Sequence, residues 1–179
     1  MKIKGLRWVI IGLIFLATII NYIDRSALSI MWGNSDVEGS IAQSLGLPKE
    51  HNTHILNIFM VAYALGQFFS GKLFDKVGTR IGYVISIGIW GLSSFLHSTV
   101  RGILSIGILR STLGISEAGN WPGAVKGNAE WFPIKERAIA QGLFNAGASI
   151  GSVIAPPLIA MIFVAFGWRV AFMIVGSFG

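Results

Sequence analysis

The sequence predicts an all-α integral membrane protein, a bundle of apolar helices rather than a soluble domain. Of its 179 residues 53% are hydrophobic and 12% charged, about half the charged fraction of a soluble domain. Mean hydropathy is +0.68, and the apolar residues gather in runs near the roughly 20 needed to cross a bilayer core. The 23 glycines suit helices that pack closely in lipid.

Taken in order, the runs cover about 8–33, 55–74, 81–100, 102–124 and 138–165, with a sixth starting near Trp168. The two longest must tilt or project beyond the lipid. The sixth has about a dozen residues before Gly179, too few to cross. The chain, one unit over 1–179, is therefore expected to be a piece of something longer. The start, Met1-Lys-Ile-Lys-Gly-Leu-Arg7, looks like a signal peptide. No small-residue cleavage site closes it and further spans follow, so it is read as the entry to the first helix.

Orientation follows from the bases. With the N-terminus in the cytoplasm, Lys2, Lys4, Arg7, Lys72, Lys76, Arg80, Lys126, Lys135 and Arg137 lie inside, against Lys49, Arg101 and Arg169 outside. The net charge of +6 is spread over short segments between lipid-length spans, which excludes a nucleic-acid surface. With no cysteine, disulfides and thiolate metal sites are ruled out. The longest connection, 34–54, is polar and external and holds Asp36, Glu38, Glu50, His51 and His54; Ser40 to Leu47 fits a short interfacial turn. The two histidines are read as part of a solvated loop. The 125–137 connection is internal, with Trp131-Phe132 as an interfacial anchor before Pro133.

Two motifs bear on movement. Residues 71–80, Gly-Lys-Leu-Phe-Asp-Lys-Val-Gly-Thr-Arg, read as a tight cytoplasmic turn. Gly78 permits positive φ there, and Asp75 pairs with Arg80 or caps the next helix. The fifth run holds Gly147-x-x-x-Gly151 and then Pro156-Pro157. Small residues four apart let helices approach, and prolines remove backbone donors. Plain packing and a gating hinge both fit.

The chemistry concentrates in buried charge. Arg110 and Glu117 stand seven residues apart, two helical turns, and so share a face. The first run carries Asp24-Arg25. An ionised group at the bilayer centre costs roughly 2.5–3.5 kcal/mol on insertion scales, so these faces must turn from lipid towards a partner or a watery cavity. From the helix rise, Asp24 lies about 24 Å from the inner end of its span, and Arg110 about 12 Å from the outer end of its own. Asp24, Arg25 and Arg110 then share the outer half, with Glu117 past the midplane. The plainer alternative is an ion-pair network holding helices together, a costly device where leucine would serve. The functional reading is that Arg25 and Arg110 bind an anion, bidentate on a carboxylate. Asp24 and Glu117 compete for the arginines when ionised and release them when protonated, which couples anion entry to proton entry.

No nucleophilic triad, His-x-x-x-His pair, phosphate loop or dinucleotide fingerprint can be assembled, so an enzyme is not expected. A membrane enzyme using Asp24 and Glu117 would need them about 5–9 Å apart, closer than the depths suggest. A membrane assembly subunit would present Arg25 and Arg110 outward along a helix seam.

Residues 71–80 closely resemble the loop signature of the major facilitator superfamily. Gly71, Asp75, Lys76, Gly78 and Arg80 match it, while Thr79 replaces a usual base. In that family the loop latches the inward face, so this latch is expected to be looser. Asn21-Tyr-Ile-Asp-Arg25, Arg110 through Glu117-Ala-Gly-Asn-Trp-Pro122, and Glu130-Trp-Phe-Pro-x-Lys-Glu-Arg137 resemble its anion:cation symporter branch. Residues 78–83 and Ala155-Pro-Pro-Leu158 look most like hexuronate carriers. The resemblance implies the first six helices of a twelve-helix transporter, in the bacterial inner membrane, moving a sugar acid such as glucuronate or galacturonate with a proton. No resident cofactor is implied, only the co-transported cation, with sodium left open. Partners are the small organic anion, the lipid and a C-terminal half. By motif, Asp24, Arg25, Arg110 and Glu117 form the charged site, Tyr22 and Asn120 hydrogen-bond the substrate, and Gly147, Gly151 and Pro156 belong to a hinge. No sequence repeat is evident between 1–100 and 101–179.

Overall fold

The computed structural model describes residues 5–33 and 38–179; Lys2, Lys4 and Asp36, used above, lie outside them. The described residues form α1 (Leu6–Trp32), α2 (Ile41–Leu45), α3 (Glu50–Leu96), α4 (Ile103–Glu117), α5 (Asn120–Trp131) and α6 (Arg137–Ser177), with 3-10 turns at His97–Thr99 and Ile134–Glu136. Three stretches are long and apolar enough to cross a membrane: Leu6–Trp32, Glu50–Thr99 and Ile134–Ser177. Large apolar side chains face outward, among them Val164 at 83% and Leu104 at 76% exposure. Such a surface associates in water but is at home among lipid chains.

The expected second and third spans are one element, α3, and the fifth and sixth are one element, α6. Each is broken by one glycine. Gly78 has φ 80 and ψ 163, and Gly167 has φ 77 and ψ 167, a backbone region that is strained for any residue with a Cβ. At each break the chain doubles back. Phe59 and Trp90 share one apolar cluster, though 31 residues of straight helix would separate them by about 46 Å. Ala155 and Phe172 likewise share a cluster across Gly167. The turn read over 71–80 is thus helical up to Gly78. Both breaks carry one local pattern, Val77-Gly78-Thr79-Arg80-Ile81 and Phe166-Gly167-Trp168-Arg169-Val170, a repeat too short to stand out in the sequence.

The packing echoes that repeat. The first arm of α3 (50–77) lies against α4, where a Cβ added at Gly66 would sit 2.8 Å from the Ile115 Cα. The first arm of α6 (137–166) lies against α1, where a Cβ at Gly151 would sit 2.9 Å from the Ile19 carbonyl oxygen. Gly147 and Gly151 therefore act in close packing. α6 passes through Pro156-Pro157 with helical dihedrals and breaks only at Gly167. Replacing Gly151 with leucine drives bulk into backbone, an overpacking cost of about 1–3 kcal/mol. The expected result is a clear fall in melting temperature in detergent, whereas Gly12→Leu, where a Cβ meets open space, leaves it unchanged.

The span expected over 102–124 is divided between α4 and α5. Pro122 has no N–H to offer the Ala118 carbonyl four residues back. The backbone tightens there, Gly119 N–H bonding to the Ser116 carbonyl at 3.2 Å. The Ala118 oxygen accepts from the Ser70 hydroxyl of α3 at 3.4 Å instead. α5 then runs on to Trp131, so most of the expected 125–137 loop is helix. Phe132 is no interfacial anchor: it is buried among Ile11, Ile14, Ala124, Ala140 and Phe144, with Trp131 packed against them. His51 and His54 lie on the first turns of α3 rather than in a loop. Ser40 caps α2 by accepting the Gln43 N–H at 3.2 Å, and Gly46 ends it with φ 62. That short helix seats Ile41 and Ala42 in the core.

Candidate functional site

Neighbouring residues on a helix point about 100° apart, and α1 uses this at Asp24 and Arg25. Asp24 is wholly buried and turns to the second arm of α3 (79–96), where the Ser94 hydroxyl donates to Oδ1 at 2.5 Å. Arg25 turns to the first arm of α3 and to α4. Its Nε and Nη2 both lie 3.1 Å from Glu117 Oε2. Around the guanidinium stand the rings of Tyr63 at 4.5 Å, Tyr22 at 5.2 Å and Phe59 at 5.3 Å. Each ring face attracts the cation, so Arg25 is caged as well as paired.

Arg110, one face along α4 from Glu117, is 0% exposed. Its Nε, Nη1 and Nη2 have no hydrogen-bond partner among the described residues, and its guanidinium lies 5.9 Å from the Phe59 ring. The four charges expected to form a pairing network are thus placed unequally. Glu117 holds Arg25, bridging the depth difference expected between them through the long arginine side chain. Asp24 contacts neither arginine within ion-pair distance, and Arg110 stays uncommitted. Asp24 Oδ2, Glu117 Oε1 and both Asn21 amide atoms are likewise buried without a partner. A buried, unpaired guanidinium has the donor fork and the undiminished charge that an anion needs.

Tyr22 contributes its ring to Arg25. Asn120 is wholly buried. Its side-chain amide donates to the Thr18 hydroxyl at 3.1 Å and its main-chain carbonyl accepts from the Tyr83 hydroxyl at 3.2 Å, so it ties α5 to α1 and α3 at the break after α4. The residues read as a latch, Gly71, Asp75, Lys76, Gly78 and Arg80, gather about the break in α3. Asp75 pairs there with neither Arg80 nor the next helix but with Lys126 of α5 at 2.8 Å. With the Asp75 side chain 77% exposed, this is a weak, screened pair. Thr79, in the place of a base, donates to Glu130 at 2.7 Å. Of the hinge residues, Gly147 and Gly151 face α1 and Pro156 faces outward.

Sequence reasoning missed Phe59, Tyr63, Ser94 and His97. A signal for them exists. Tyr63 and Gln67 stand one turn apart and bond at 2.9 Å, and Ser94 and His97 interrupt an apolar run. Polar groups within membrane-length helices mark function or pairing. If this site holds an anion, Tyr63→Leu, which removes the nearest ring of the Arg25 cage, is expected to raise the half-saturating anion concentration by roughly 5–30-fold (about 1–2 kcal/mol). Tyr63→Phe, keeping the ring, loses less than half of that; concentration-dependent uptake measures both.

Residues 14–179 match the Major Facilitator Superfamily. The chain is 32% identical over 176 residues to the galacturonate transporter of Dickeya chrysanthemi, covering 98% of this chain and 49% of that protein. It is 34% identical over 176 residues to the hexuronate transporter of Escherichia coli (strain K12), with 98% and 39% covered. A probable galactarate/D-glucarate transporter of Bacillus subtilis is 34% identical over 184 residues, with 99% and 39% covered. The chain thus spans half or less of the length of these relatives, all of which carry the names of transporters rather than enzymes. A helical, lipid-suited bundle with charge at its centre, matched over 166 of its residues (14–179), belongs to the major facilitator superfamily.

Proposed function

We propose that the chain is the N-terminal, six-helix half of a twelve-helix symporter of the anion:cation branch. On this reading it lies in the bacterial inner membrane, with the N-terminus in the cytoplasm, and imports a sugar acid with a proton. The observation that carries the proposal is Arg110, wholly buried and unpaired beside an Arg25–Glu117 pair. Both arginines turn into the bundle rather than along an outer seam, which favours a solute site over docking of a partner helix. The names of the relatives, for galacturonate, hexuronate and galactarate or glucarate, support a sugar acid as the anion. The two breaks, at Gly78 and Gly167, support three-helix repeats nested within the half.

In the proposed cycle Arg110 captures the substrate carboxylate. Arg25 adds a second contact once Glu117 takes a proton and lets it go, while the aromatic cage keeps the freed guanidinium in place. Asp24, held on Ser94, is the second proton-accepting group. Tyr22, whose ring lies against Arg25, and Asn120 hydrogen-bond the hydroxyls. The C-terminal half supplies the other wall, and the Asp75–Lys126 and Thr79–Glu130 contacts belong to the end that opens and shuts.

The test is uptake of labelled glucuronate into vesicles holding the complete carrier, with and without an imposed pH gradient. Accumulation with acid outside, unaffected by sodium, supports proton-coupled sugar-acid import. Uptake driven by sodium alone would replace the coupling ion, and uptake of only other organic anions would replace the substrate. No anion uptake at all would return the charges to a structural role.

A further inference from the structure

We propose that Ser94 is a positioning residue for Asp24. It anchors one carboxylate oxygen to the second arm of α3 and leaves the other as the atom that takes and gives up the proton. The inference rests on the reading of Asp24 as a proton-accepting group given above. A carboxylate inside a lipid-length helix is costly unless donors meet it. Ser94 is the donor that meets this one, its hydroxyl oxygen 2.5 Å from Asp24 Oδ1. That separation lies within the range of a hydroxyl on an ionised carboxylate, about 2.5–2.7 Å. Asp24 is 0% exposed and Ser94 1%, so bulk water does not compete for the bond.

Ser94 departs from the pattern of other helix hydroxyls in this bundle. Thr18, Ser26, Ser111 and Ser152 each donate to the carbonyl four residues back in their own helix, at 2.8 to 2.9 Å. That carbonyl is the nearest acceptor a hydroxyl finds on an apolar helix. Ser94 instead reaches across 70 residues of chain to α1. The charged groups of the neighbouring helices do not take its place. Asp24 has no ion pair among the described residues, where Glu117 of α4 is taken by Arg25. Arg110 of α4 forms no hydrogen bond to them, and Arg169 of α6 is spent on the carbonyls of Ser98 and Val100. His97, one turn on from Ser94, has its Nδ1 against the Ser93 carbonyl.

The two oxygens of Asp24 are thereby made unequal. Oδ1 is held by Ser94, while Oδ2 is buried with no partner among the described residues. A carboxyl carries its proton on one oxygen, and the oxygen that no donor occupies is the one open to it. With the proton on Oδ2, Oδ1 is the carbonyl oxygen of a neutral acid and still accepts from Ser94. The bond is then ordinary; once the proton has left it is charge-assisted and about twice as strong. Ser94 thus fixes the carboxyl in both states and offsets part of the cost of burying its charge. Without the hydroxyl the ionised form has neither oxygen satisfied, and the return half of the proton cycle fails. A carrier whose acid cannot shed its proton still exchanges substrate but no longer accumulates it.

In the complete carrier, Ser94→Ala is expected to lower pH-gradient-driven accumulation of glucuronate about 10-fold, with exchange of labelled for unlabelled substrate kept within about threefold. Ser94→Thr, which keeps the hydroxyl, should stay within about threefold of wild type in both assays. Wild-type accumulation in Ser94→Ala, equal loss in the alanine and threonine variants, or loss of exchange together with accumulation would overturn the inference. A second readout follows the carboxyl itself. Infrared difference spectra of the wild-type carrier between acid and neutral pH should show a protonated-carboxyl C=O band that is missing in Asp24→Asn. In Ser94→Ala that band moves to higher wavenumber, because the carbonyl oxygen has lost its donor. A band left at the wild-type position sinks the proposal. Asp24→Asn also separates the two readings. If it accumulates glucuronate normally, the proton role of Asp24 fails and this inference with it. If it loses accumulation while Ser94→Ala behaves as wild type, only the positioning role fails.

Discussion

Arg110→Ala in the complete carrier is expected to abolish sugar-acid uptake, a loss of at least about 100-fold. The side chain is fully buried and spends none of its donors on the described residues, so its charge is available to the substrate. Truncating one partner of a buried, hydrogen-bonded charge pair costs about 2–5 kcal/mol, and about 2.8 kcal/mol is already 100-fold. Arg110→Lys keeps the charge but loses the planar fork, and so recovers only part of the activity. Fold stability should hold, since no hydrogen bond among the described residues ends on this side chain. A melting temperature in detergent within a few degrees of wild type checks that the loss is functional. Uptake surviving at more than a tenth of wild type would show that the anion is held elsewhere.

Glu117→Gln separates coupling from binding. The amide is nearly isosteric with a protonated carboxyl, so it mimics the released state: Arg25 loses its ionic partner but stays among Tyr22, Phe59 and Tyr63. The expected outcome is a fall of at least about 30-fold in pH-gradient-driven accumulation, with exchange of labelled for unlabelled substrate kept within about threefold. Loss of both activities together would mean that Glu117 serves only to hold α4 against α1. Breaking a buried pair from one side costs about 3–5 kcal/mol when a charge is left uncompensated. Here the cage and the partial exposure of Arg25, 23% for its side chain, soften that cost. The folded yield of Glu117→Gln therefore distinguishes a misfolded carrier from an uncoupled one.

Particular residues show why the sequence was legible to different depths. Asp24, Arg25, Arg110 and Glu117 stood out because a charge inside an apolar run is expensive anywhere in a bilayer, whatever its neighbours. Gly78 was legible as a positive-φ position because the charged, glycine-bearing segment around it demands a turn. Gly167, with the same dihedrals, was hidden between two apolar runs, where nothing but the three-residue echo Gly-x-Arg marks it. Trp131-Phe132 read as an interfacial anchor because aromatic residues beside a proline often are. Its true setting depends on α1, whose Ile11 and Ile14 cover Phe132.

By itself the sequence determined that this chain lives in a membrane, where its charges are buried, and that its motifs resemble the major facilitator superfamily. These follow from composition, run length and local pattern, which depend on no other part of the chain. Only the tertiary structure decided the partners. It set Asp24 on Ser94 and Arg25 on Glu117, left Arg110 uncommitted, gave Asp75 to Lys126, and brought the rings of the first arm of α3 around Arg25. The periodicity of a helix tells which residues share a face but not which helix that face meets. That choice is made by close approaches at small residues such as Gly66 and Gly151 and by chain reversals at Gly78 and Gly167, and both arise from contacts far apart in sequence.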